Sequence, residues 1–259
     1  MRINLRMILI IRLLPLLVAL LEAALLGWQK SLPGTYPLLA LAAFALLPLS
    51  SLAIAWRRVN FWDLTEKMAP SYLFIAVLGF ALLLAEGQWP FLIILLLAAA
   101  ATFISLELLF LLARDPGSYP VNGLSHVNIA YVPLSVWYAV STSSGLLVFL
   151  HTDGIWHVAL AAVLGVVLFR TTGHPGATKQ QNNVWMVIGG MVGAEVGLMG
   201  LFLPVSLPMQ GLIATLIFCG TLRIRRYLYA PKPSRRSAWT EALIGLALFA
   251  ASLLSAKWL

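Results

Sequence analysis

Residues 184–204 read VWMVIGGMVGAEVGLMGLFLP. The stretch is long and apolar enough to cross a lipid bilayer, which takes about 20 residues at 1.5 Å of rise each. Yet it carries a carboxylate, Glu195, near its middle, and it is rich in glycine. At about 100° per residue, Gly189, Gly193, Gly197 and Gly200 share one side of a helix. Small residues in such a stripe let a second helix approach closely. Glu195 falls on the other side, with Val184, Ile188, Met191, Leu198 and Met199. A charged group at the bilayer centre costs about 2.5–3.5 kcal/mol on insertion scales. The stretch therefore predicts a central helix, packed through its glycines on one neighbour and covering Glu195 with another.

The rest of the chain agrees that lipid is the solvent. Of 259 residues, 61% are hydrophobic and 10% charged, whereas soluble domains run roughly 45–50% and 25%. Segments 7–28, 36–56, 69–86, 90–113, 128–150, 154–170, 184–203, 207–222 and 239–256 each suit a membrane span. The expectation is an all-α, polytopic integral membrane bundle of about nine transmembrane helices in one domain, 1–259. The turn HTDG (151–154) is expected to join spans five and six as a helical hairpin. The basic, apolar N-terminus is read as a retained first span rather than a cleaved leader.

The cations set the orientation. With the N-terminus inside, Arg2, Arg6, Arg12, Arg57, Arg58, Lys67, Arg114, Arg170, Lys179, Arg223, Arg225, Arg226, Lys232, Arg235 and Arg236 fall on the inner side. Only Lys30 and Lys257 fall outside. The positive-inside rule then puts the N-terminus inside and the C-terminus outside, in a cytoplasmic membrane. The net charge of +8 is accounted for by topology, so nucleic acid is not an expected partner. The basic stretch RIRRYLYAPKPSRRS suits anionic headgroups of the inner leaflet. Trp28, Trp56, Trp89, Trp156, Trp185, Trp239 and Trp258 lie near span ends, as an interfacial aromatic belt requires.

Polar groups inside spans are the functional candidates. Glu195, Glu107, Glu22 and Arg12 are candidates for intramembrane coupling. Arg12 and Glu107 sit at similar depth, and a pair between them would neutralise two costly charges. Glu22, one to two turns from Trp28, is expected to snorkel toward outer water. On the fifth span, Tyr138, Ser141, Thr142 and Ser144 are candidates for a polar lining, although hydroxyls also bond back to their own helix. Gly189, Gly193, Gly197 and Gly200 are packing residues. Pro15, Pro48 and Pro133 lie within spans, where proline tends to kink a helix. A weak echo between the Glu22 and Glu195 hairpins, each followed by Leu-Pro, suggests a duplicated unit.

Catalytic signatures are sparse. There is no HExxH, no GxSxG and no Walker A stretch, and those patterns supply zinc ligands, a nucleophile elbow and a phosphate cradle. Asp63 and Glu66 in WDLTEK are the nearest approach to a cation-binding pair at an inner face. His126, His151, His157 and His174 lie in loops or near span ends and do not suggest a metal site. The lone Cys219 rules out an intrachain disulfide. No cofactor and no metal are expected. The leading expectation is a transporter-like protein handling a small solute or ion through a buried carboxylate, with Glu195 first. The alternatives are a non-catalytic membrane subunit or scaffold, partnered by another membrane protein or by itself, and an unfamiliar lipid-modifying enzyme using Asp63 or Glu66.

Overall fold

The computed structural model describes residues 5–28, 36–56, 58–120, 122–172, 177–229 and 235–255. Nine α-helices lie within them: α1 Leu5–Trp28, α2 Tyr36–Ala55, α3 Phe61–Ala81, α4 Gln88–Arg114, α5 Gly123–Leu150, α6 Gly154–Thr171, α7 Lys179–Phe202, α8 Leu207–Tyr229 and α9 Arg235–Ser255. Helices α2 to α8 are each long and apolar enough to cross a membrane, and α9 adds a shorter apolar stretch, Trp239–Ser252. The described residues are thus all-helical, with seven helices suited to a membrane bundle.

Several helices outrun the apolar segments, and capping explains why. Helix α3 begins at Phe61 rather than 69 because Asn60 accepts a hydrogen bond from the Trp62 amide at 3.4 Å. Asp63 then sits in its first turn, where a carboxylate favours the positive end of the helix dipole. Helix α7 begins at Lys179 rather than 184 through a capping box. Thr178 Oγ1 accepts from the Gln181 amide at 3.3 Å, and Gln181 Oε1 accepts from the Thr178 amide at 2.8 Å. Pro204 follows its end. The α-helices run through Pro15, Pro48, Pro70 and Pro133.

The contacts divide the chain into two units, 1–131 and 132–259, with the boundary inside α5. In the first, α1 packs on α2 and α4, and α3 packs on α2 and α4. Its core includes Leu26, Leu47, Ile54, Met68, Phe74 and Leu106. The Phe74 and Tyr131 rings stack at 4.7 Å. Arg114 Nε donates to the Ile54 carbonyl at 3.0 Å, tying the end of α4 to the end of α2.

In the second unit the tightest pairing is α6 against α7. Gly189, Gly193 and Gly197 lie against Gly165, Ala161 and Val158 of α6, so close that a Cβ on any of the three would overlap its neighbour. This is the close approach that small-residue stripes permit. Helix α8 packs on α7 and α9, and Trp137 of α5 donates to the Pro208 carbonyl at 3.0 Å. Large apolar side chains such as Leu20, Leu96, Val187 and Phe202 remain exposed, as lipid-facing residues do.

Candidate functional site: a buried carboxylate among hydroxyls

Glu22 is the most deeply placed acid among the described residues. Its side chain on α1 has no exposure, and Thr102 Oγ1 of α4 donates a short hydrogen bond to its Oε2. Oε1 has no hydrogen-bond partner among the described residues. The expectation that Glu22 snorkels to outer water is therefore corrected. The residue lies on the face of α1 that packs on α4, with Val18, Ala19 and Leu26 buried along the same helix.

A separate set of hydroxyls lies in the same unit. Ser105, one turn beyond Thr102 on the same face of α4, donates to Ser71 Oγ of α3 at 3.0 Å. Tyr131 donates to the Ala101 carbonyl at 3.2 Å and is also linked to Ser105. Ser71, Thr102 and Ser105 are fully buried. A further hydroxyl pair, Ser51 and Tyr72 at 2.5 Å, joins α2 to α3. A cavity of about 190 Å³ lies beside this pair, lined by Phe44, Leu47, Pro48, Tyr72, Ile75 and Ala76. Glu22 is not in its wall.

Arg12 and Glu107 meet at 3.1 Å, with side-chain exposures of 51% and 23%. The Arg12 guanidinium also lies 5.1 Å from the Phe110 ring centre. An exposed pair of this kind is worth at most about 1 kcal/mol in water. On a lipid-facing helix its main effect is to keep either charge from facing acyl chains alone.

Glu195 is exposed and has no hydrogen-bond or ion-pair partner among the described residues. Among the described residues of its own unit, no second neighbour covers it. The reason is geometric: α7 spends its glycine face on α6, and the opposite side, with Val184, Met191 and Leu198, is left uncovered. Gly200 extends the glycine face, and a Cβ there would meet His157 Nε2 at 2.8 Å.

On α5, Thr142 and Ser144 are buried, and Ser141 and Tyr138 are partly buried. Ser143 bonds back to the Val140 carbonyl at 3.1 Å. The hydroxyls of Ser141 and Ser144 have no partner among the described residues. Ser141 Oγ lies against Gly211 of α8.

Two residues carry more than their sequence positions suggested. His157, expected near a span end, is buried at 3% exposure, with both ring nitrogens unpartnered among the described residues. Arg225, expected at lipid headgroups, is 2% exposed. Its guanidinium donates to the Phe169 carbonyl at 2.6 Å and to Asn182 Oδ1 at 2.5 Å. Phe169 is in the last turn of α6, so Arg225 satisfies a carbonyl that the helix end leaves open. Arg225 also lies 5.9 Å from the Trp185 ring, whose Nε1 donates to Tyr229 at 3.0 Å. The basic run on α8 hinted at none of this, because helical phase alone does not say which cation turns inward.

Asp63, Glu66, Asp115 and His126 are all exposed. No group of three or more His, Cys, Asp or Glu that could hold a metal occurs among the described residues. His174 and the Leu32–Pro33 half of the duplicated-hairpin echo lie outside the described residues. Comparison with family models, with curated proteins and with solved structures found no match.

Proposed function

We propose that the chain is a transporter-like protein of the cytoplasmic membrane that handles a small solute or ion through a buried carboxylate, and that this carboxylate is Glu22. One observation carries the reading: a glutamate with no exposure, one oxygen held by Thr102 and the other free of any partner among the described residues. Buried acids within membrane helices are typical of ion and proton pathways. The neighbouring hydroxyls of Ser105, Ser71 and Tyr131 both donate and accept, so they suit a proton or a partly dehydrated monovalent cation. A change of charge on Glu22 would alter the α1–α4 contact, which supplies the coupling to helix movement. The same reading takes nine spans, with the N-terminus inside and fifteen of the seventeen cations toward the inner side.

Glu22→Gln keeps the shape and removes the charge. In liposomes containing a pH-sensitive dye and an imposed Na⁺ or K⁺ gradient, the wild type is expected to carry a gradient-driven flux. The variant should slow it by about tenfold or more, the scale set by roughly 1.4 kcal/mol of lost coupling. Equal flux through both proteins would overturn the assignment of Glu22.

A second reading, a non-transporting subunit or scaffold, is favoured by a different observation. The cavity beside Tyr72 is apolar and does not reach Glu22, while Glu195 faces outward. That reading expects no flux from the wild type under any imposed gradient.

A further inference from the structure

We infer that His157 of α6 and Gln210 of α8 hold a buried water molecule between them, at the end of the second unit where α6 and α8 begin and α7 ends. The inference is independent of the role proposed for Glu22, which lies in the other unit.

Three observations carry it. First, two buried polar groups lack partners. His157 is 3% exposed, and neither of its ring nitrogens has a hydrogen-bond partner among the described residues. The buried Gln210 Oε1 has none either. Buried polar groups in native proteins are paired, with protein or with ordered water. Second, the Gln210 amide has a fixed sense. Its Nε2 donates to the Leu203 carbonyl at 3.2 Å and to the Val205 carbonyl at 3.4 Å. Both amide protons are used there, so Gln210 presents an acceptor at its other atom. Third, the two groups converge on Gly200 of α7. A Cβ on that glycine would lie 2.8 Å from His157 Nε2 and 3.7 Å from Gln210 Oε1. The two atoms face one small space without bonding to each other.

The chemistry of the occupant follows from these groups. It must donate a proton to Gln210 Oε1, which an anion without hydrogens cannot do. A metal ion would meet one imidazole and one amide oxygen, and no group of three or more His, Cys, Asp or Glu that could hold one occurs among the described residues. Neutral imidazole carries its proton on one nitrogen and accepts at the other. Water can serve either tautomer, because it donates and accepts, and it spans two partners with bonds of about 2.8 Å each. The surrounding core, Val205 and Ile213 with Met199, Leu203 and Met209, is apolar and offers no competing side-chain partner. The bridge would tie α8 to α6 across the end of α7, and glycine at 200 is what lets the water sit there.

The test is solid-state NMR of the full chain in lipid, with histidine rings and glutamine side chains isotopically labelled. The His157 ring signal is identified by its loss in His157→Phe. A water-soluble gadolinium chelate should broaden the exposed His126 and His151 rings and leave the buried His157 ring sharp. With the chelate present, magnetisation transferred from water protons is expected to reach the His157 ring. Gly200→Ala puts a methyl group in the space beside Nε2 and should abolish that transfer. Gly220→Ala, where a Cβ meets nothing within 4 Å, should leave it unchanged. No water-to-His157 transfer in the wild type would overturn the inference. So would a ring-nitrogen to Gln210 carbonyl-carbon distance short enough for a direct bond, or transfer that persists in Gly200→Ala. The first two are read on the unaltered protein, so a variant that fails to fold does not remove the test.

Discussion

Thr102 is the residue on which the buried acid depends. Its hydroxyl is the one group among the described residues that bonds Glu22. Replacing it with valine keeps the volume and leaves both carboxylate oxygens without a partner. An unsatisfied buried polar group costs about 1–3 kcal/mol, more when charged. Thr102→Val is therefore expected to destabilise unit one by at least about 1 kcal/mol in detergent unfolding titrations, and Glu22→Gln to recover part of that loss in the double variant. Additive effects would mean that the two side chains do not act together. At this scale the sequence was half legible. It marked Glu22, Glu107, Arg12 and Glu195 as the groups needing an explanation, because charge inside a span is rare. It did not say which of them was covered. Glu22 and Glu195 both lie within helices apolar enough to be read as spans, and the packing of α1 against α4 and of α7 against α6 separates a buried acid from an exposed one.

Among the elements, the α6–α7 pair shows what small residues do when a second helix uses them. A Cβ on Gly193 would run into the Ala161 backbone, which cannot rotate away. Gly193→Val should part the two helices and cost more than about 3 kcal/mol, the upper end of ordinary overpacking. Gly220 on α8 is the control, since a Cβ there meets nothing within 4 Å. Gly220→Ala should lie within about 1 kcal/mol of wild type, on the stabilising side, because alanine favours a helix over glycine. Thermal unfolding of the purified variants separates the two outcomes, and similar shifts for both would show that the glycine face is not the source of the pairing. The glycine stripe was visible in the sequence as a spacing. Its partner was not singled out, although Ala161 and Gly165 of α6 are themselves spaced four apart, because such a short small-residue pair is common and does not name which helix it meets. Helix starts were misjudged for a related reason: apolar content marks where lipid begins, whereas the Asn60 and Thr178 caps mark where the helix begins.

Across the whole molecule, the membrane class was the most legible feature, because it depends on sums rather than on partners. An apolar fraction of 61% and the placement of seventeen cations need no contact map. The orientation drawn from them has a direct check. A reporter active only inside the cell should work when fused into 115–122, between α4 and α5. One active only outside should work when inserted at 151–153, between α5 and α6. Reporters that place both loops on one side would refute the nine-span arrangement, and the opposite pattern would reverse it.

The Glu22–Thr102 contact also has a consequence for how the protein is made. The two residues are 80 positions apart, so at about 5–20 residues per second the ribosome needs roughly 4–16 s to deliver the second after the first. Throughout that interval the nascent α1 holds a carboxylate whose final partner has not been synthesised. Insertion of the first helix must therefore lean on a temporary shelter, whereas α6 and α7, consecutive in the chain, can zip together as soon as α7 itself is translated.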